Sequence, residues 1–236
     1  MTSIWFIGFI ATFSGIGIGG ILSFLINGCK ASMGAIYAVC TGLILGLLSF
    51  EIIPEAIQYG NWNIFFGGFL AGVLLFKIIH LSFHILPGLK KQPNMRTGLL
   101  LTVIISIHNI PMGVILGSSQ YSEIRLSLLQ TLTMHNIPEG MILFTPLFAA
   151  GLRFFLLFFF SFVVAAPIAI GAFIGEVMSV QNNLLWVFMI SLTIGTIYMV
   201  TVKEILPESI KHSSIGFSML TAVFSFCVIG AYFLYI

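Results

Sequence analysis

Charge is what this 236-residue chain has least of. Asp, Glu, Lys and Arg make up 7% of it against 59% hydrophobic residues, and the net charge is only +2. A soluble domain cannot cover its surface with so few polar groups, so the composition excludes one and indicates an integral membrane protein. A basic surface for nucleic acid is excluded on the same ground. Three cysteines, Cys29, Cys40 and Cys227, lack any paired metal spacing such as CxxC and offer no disulfide framework, so they read as packing residues. No nucleotide-binding motif is present, which argues against ATP hydrolysis by this chain, and no HExxH, which argues against a zinc-hydrolase helix. The first apolar run lacks a basic start and is too long for the core of a signal peptide, so it reads as structure.

What the chain has in quantity is long apolar runs. At about 20 residues per crossing, the sequence predicts an all-α integral membrane protein with eight transmembrane helices, at 4–26, 34–54, 64–86, 97–117, 126–150, 154–175, 184–206 and 215–236. The connectors are too short to hold a further domain, so 1–236 reads as a single transmembrane domain. Counting loops alternately, one side receives Lys30, Lys90, Lys91, Arg96, Arg153 and Lys211, the other only Arg125, and Lys77 and Lys203 lie in spans near the rich side. The cation-rich side is expected to be cytoplasmic, which places both termini outside.

Two phrases recur. FEIIPEAI (50–57) closes the second span and KEILPESI (203–210) closes the seventh; HNIPMG (108–113) lies in the fourth and HNIPEG (135–140) in the fifth. Each pair falls on spans of opposite direction, which predicts an inverted arrangement of three, two and three helices, of the kind transporters use for alternating access.

On a helix, His108 and Met112 lie four residues apart, as do His135 and Glu139, so each pair shares one face about one turn apart. Pro111 and Pro138 have no amide hydrogen, so the carbonyls of Ile107 and Met134 lose their helical partners, and Asn109 and Asn136 add amide oxygens beside them. An ionised glutamate at mid-span costs roughly 2.5 to 3.5 kcal/mol, so Glu139 needs a partner, yet neither hexapeptide contains Lys or Arg. The available counter-charge is a metal cation or a proton. Imidazole, carboxylate, amide oxygen and thioether have in common that they bind divalent transition metals. The structural alternative is a pair of proline kinks with Asn and His bonding neighbouring helices; two copies in tandem spans favour the metal.

HNIPMG and HNIPEG on successive spans, with EIIPEA before them and EILPES after, resemble the ZIP (Zrt- and Irt-like) family of divalent metal transporters over essentially the whole chain. The resemblance implies a multi-pass carrier in the cell membrane, often a homodimer and not an enzyme. Its cargo would be a divalent metal ion, zinc foremost, with iron, manganese and cadmium as alternatives, moved toward the cytoplasm with no resident cofactor. By position, His108 and Asn109 match the family's ligands on the fourth span, and His135, Asn136 and Glu139 those on the fifth. Met112 stands where the family commonly has a glutamate that bridges two metals, Ala166 stands before Pro167 where a glutamate is frequent, and PGLKKQPNMR replaces a histidine-rich loop. Two dications beside the single carboxylate of Glu139 would leave a large uncompensated charge. One principal site is therefore expected, built from His108, His135 and Glu139, with Asn109, Asn136 and Met112 as weaker ligands and the Met112 thioether favouring softer ions.

Four more residues are candidates for the pathway. Glu51 lies toward the outer end of the second span and Glu204 toward the inner end of the seventh, where the resemblance supports an exit ligand. His80 and His84 form a stripe with Lys77 on the third span, either relaying metal or anchoring the helix at the interface. Glu55 and Glu208 read as helix-end carboxylates, His212, Glu123 and Glu176 as solvated residues, and the phenylalanines of 154–160 as lipid-facing bulk. Gly67, Gly68 and Gly72 allow close helix contact. Two competing functions remain at this point: an intramembrane metalloenzyme, and a metal-binding protein without flux.

Overall fold

The computed structural model describes residues 3–26, 30–58, 61–85, 87–89, 91–118, 122–178 and 183–235. Cys29 and Lys90 lie outside these, as do the side chains of Lys30, Glu123 and Arg125. The described residues form eight helical rods and no strand. They are α1 (Ile4–Ile26), α2 (Lys30–Leu47, continued through Leu48–Ile52 and Ile53–Gln58), α3 (Trp62–Ile85), α4 (Pro93–Ser118), α5 (Ser122–Ala149), α6 (Leu156–Met178), α7 (Asn183–Val200, continued through Thr201–Ile205 and Leu206–His212) and α8 (Ile215–Tyr235). A 3-10 turn, Pro87–Leu89, precedes α4. Helices suit a chain this apolar, because each satisfies its own backbone in lipid.

Among the described residues, seven of these rods are long and apolar enough to cross a membrane. The one not included is α5, whose apolar letters are diluted by Gln130, Thr131, Thr133, His135, Asn136 and Glu139. The most polar helix of the chain is thus the one bearing HNIPEG.

Both copies of the other repeated phrase form a π-helical turn, Leu48–Ile52 in α2 and Thr201–Ile205 in α7. Each lies just before a proline. Pro54 has no amide hydrogen to offer the carbonyl of Phe50, and Pro207 none for Lys203. The helix widens by one residue just before each: Ile53 N–H reaches back five residues to the Leu48 carbonyl, and Leu206 N–H to that of Thr201. Each widened turn carries one carboxylate, Glu51 or Glu204.

The rods sort into two groups of four. In one, α4 packs along α6, α5 along α1, α1 along α6, and α4 meets α5; in the other, α3 packs along α7, α2 along α8, and α2 meets the last turns of α7. Contact between the groups is thinner, mainly α4 with α7 and α2 with α5. The rim is apolar and open: Phe66, Leu70, Leu74 and Ile78 on α3, Leu220 and Phe224 on α8, and Phe155, Phe158 and Phe159 at the start of α6 are exposed, as suits contact with lipid. Gly68 and Gly72 admit the backbone of α7 at Phe188 and Leu192, whereas Gly67 faces open space. Cys40 is buried and Cys227 exposed, both free.

Candidate metal site

HNIPMG lies inside α4 and HNIPEG inside α5, with Pro111 and Pro138 both within continuous helix. All six candidate ligands are buried, none more than 6% exposed: His108, Asn109, Met112, His135, Asn136 and Glu139. His108 and Glu139 join the two helices, with Nε2 of the imidazole 3.3 Å from Oε1 of the carboxylate. The other imidazole nitrogen is 3.2 Å from the carbonyl of Ile104. A carbonyl can only accept, so Nδ1 carries the proton and donates, and this orients Nε2 toward Glu139. A backbone-anchored Nδ1 is the usual way a metal-binding imidazole is aimed.

The two asparagines do the same thing in mirror fashion. Asn109 Nδ2 donates to the Val164 carbonyl of α6 at 2.9 Å, and Asn136 Nδ2 donates to the Thr12 hydroxyl of α1 at 3.3 Å. Each amide nitrogen is thereby held by a neighbouring helix, and each Oδ1 is left buried without a hydrogen-bond partner. Glu139 Oε2 and both ring nitrogens of His135 are buried without a well-formed hydrogen bond as well. Buried polar atoms rarely stay unpaired without a functional reason. Such a concentration of lone pairs around one carboxylate suits a cation that completes them.

Among the described residues, however, no three His, Cys, Asp or Glu side chains converge closely enough to hold an ion by themselves. The structure brings His108 and Glu139 together and keeps His135 one turn before Glu139, without closing the three into a cluster. Met112 packs within the apolar core.

The sixth letter of both hexapeptides escaped the sequence reading. A Cβ on Gly113 would run into the carbonyl of Ile168 on α6, and one on Gly140 into the carbonyl of Ile16 on α1. Each glycine lets its helix touch the backbone of the helix that also anchors the neighbouring asparagine. The repetition of the letter was the available signal.

A family model described as the ZIP zinc transporter matches residues 88–236, a stretch that contains both hexapeptides and the KEILPESI turn. The chain belongs to the ZIP family. Membership implies divalent metal transport by a multi-pass membrane protein, with the metal as cargo. No curated protein matches the chain.

On the side of the ZIP hexapeptides toward the start of α4, the surroundings of the site are mostly aliphatic and leave little space. Ile44, Ile104, Ile105, Ile142, Ile197, Val200 and Ile205, with Thr201, meet around a cavity of about 10 Å³ that His108 and Glu139 also line, at the lower limit for a single water. Beyond this seam the pathway candidates assemble. Glu204 Oε1 lies 2.6 Å from His80 Nδ1, the rings of His80 and His84 are 4.3 Å apart, and His84 Nδ1 is 3.5 Å from Arg96 Nη1. Arg96 had read only as a topology signal; its place opposite His84 depends on how α4 meets α3. Glu208 pairs with Lys211 at 3.1 Å and His212 at 3.4 Å, so His212 is tethered rather than free in solvent. On the opposite side of the site, Glu51 accepts a hydrogen bond from the Thr131 hydroxyl of α5. Thr131 is a further residue that sequence reasoning missed, although its place four residues before His135 could have suggested it.

Proposed function

We propose that this ZIP protein is a secondary transporter carrying divalent metal ions, zinc first among them, toward the cytoplasm through one site on α4 and α5. The observation that carries this is the buried His108–Glu139 contact between two proline-bearing helices, ringed by unpaired asparagine and histidine donor atoms. His108, His135 and Glu139 are the principal ligands, with Asn109, Asn136 and Met112 completing the shell. Glu51 serves the outer approach, and Glu204, His80 and His84 the inner one. The thin contact between the two groups of helices supports movement of α1, α4, α5 and α6 as a block against α2, α3, α7 and α8, parting the isoleucine seam to release the ion.

All eight rods cross the plasma membrane in this proposal, α5 included, in an inverted arrangement of three, two and three with both termini outside. Its support is the matched pairing of helices and the two π-helical turns in the repeated phrases. Close helix contacts at Gly68 and Gly72 are used within the protomer, so a homodimer, if formed, would use other surfaces.

Isotopic zinc uptake into proteoliposomes tests the proposal. Wild-type vesicles should accumulate zinc and the Glu139→Ala variant should not, while remaining folded. Saturable zinc binding without uptake would favour a binding protein, and near-normal uptake by Glu139→Ala would displace the site.

A further inference from the structure

Threonines inside these helices commonly bond back to the carbonyl four residues earlier, as Thr133 does to Leu129 and Thr145 to Met141. Thr131 does not. Its hydroxyl donates across to Oε1 of Glu51, in the π-helical turn of α2, and Oε2 of the same carboxylate is buried without a partner. Among the described residues only two side-chain hydrogen bonds cross between the two groups of helices, this one and the contact of Arg96 with His84. The spacing of four from Thr131 to His135, and four again to Glu139, sets hydroxyl, imidazole and carboxylate along one face of α5.

A carboxylate that accepts a hydrogen bond at one oxygen is fixed in direction and keeps the second oxygen as a lone-pair donor. We infer that Thr131 is a positioning residue: it holds Glu51 so that Oε2 offers the incoming divalent cation a stop about one helical turn ahead of His135 and two ahead of Glu139. This rests on the transport function proposed above. Without the hydroxyl, Glu51 has lost its donor and turns toward water, so capture of the ion weakens while the step at Glu139 proceeds as before. The signature is a raised KM with kcat unchanged. Loss of a hydrogen bond to a charged group corresponds to roughly a 10-fold change.

The test is the initial rate of zinc uptake by the purified full-length protein in proteoliposomes, measured against zinc concentration. Thr131→Val should raise KM roughly 10-fold at unchanged kcat, and Thr131→Ser, which keeps the hydroxyl, should restore it. Glu51→Gln should raise KM as well, and the double variant should be no worse than Glu51→Gln alone, because the two residues act as one unit. Should the valine variant fail to fold, Thr131→Ala removes the same hydroxyl with less bulk and must show the same split. A KM within twofold of wild type, a serine variant that fails to restore it, or additive effects in the double variant would overturn the inference while leaving transport intact. Wild-type vesicles that take up no zinc would overturn the transport function itself, and this inference with it.

Discussion

Replacing Gly140 with alanine adds one methyl group beside Glu139. Its Cβ would fall 2.9 Å from Cα of Ile16 and nearer still to the Ile16 carbonyl, where carbon atoms prefer about 3.5 to 4.0 Å. The obstacle is backbone and cannot rotate away, so α1 must retreat by about 1 Å. The Asn136–Thr12 hydrogen bond, already 3.3 Å long, spans this same interface and would be lost. Overpacking of this kind costs about 1–3 kcal/mol, partly offset by the better helix propensity of alanine, about 1 kcal/mol. Gly67→Ala is the control, since nothing lies within 4 Å of its Cβ and it gains the propensity alone. The two variants should therefore differ by about 1–3 kcal/mol, or roughly 2–12 °C in Tm. Because a displacement of about 1 Å at a working site can cost about 100-fold, zinc uptake should fall far more in Gly140→Ala than its stability does. Thermal unfolding of the detergent-purified proteins, alongside uptake, measures both. Equal Tm values for the two variants together with wild-type uptake by Gly140→Ala would refute the argument that the repeated glycine sets the position of the hexapeptide against α1.

The remaining predictions concern stoichiometry and topology. With Glu139 as the sole carboxylate of the two hexapeptides, the protein should hold one metal per protomer at the centre and tolerate soft ions such as cadmium. Met112→Glu combined with Ala166→Glu should admit a second metal and shift preference toward harder ions. Anomalous scattering from metal-soaked crystals checks this, and two strong central peaks in the unmodified protein would contradict it. Tags at both termini should be accessible from outside intact cells; labelling of either one only after permeabilisation would reverse the orientation inferred from the cations.

Length and hydrophobicity were enough to specify a helical membrane protein, because in lipid a backbone has few ways to satisfy its own polar groups. The repeated phrases were equally legible: HNIP with a fourth-place partner requires one helical face, and a proline inside a helix must leave a carbonyl unanswered wherever it sits. The π-helical turns were hidden in the same letters, since the proline states that one hydrogen bond is missing but not that the helix will widen just before it. Other features could arise only when helices far apart in the chain were brought together. Local spacing could place His108 near Met112, but not His108 Nε2 against Glu139, nor Asn109 against Val164 and Asn136 against Thr12, since these distances depend on how α4, α5, α1 and α6 cross. The same holds for Thr131 and Arg96, which in the sequence are an ordinary helix threonine and a loop cation. Their roles come from meeting Glu51 and His84 across the seam between two helix groups, and that seam is a property of packing between distant segments, which periodicity along a single helix does not encode.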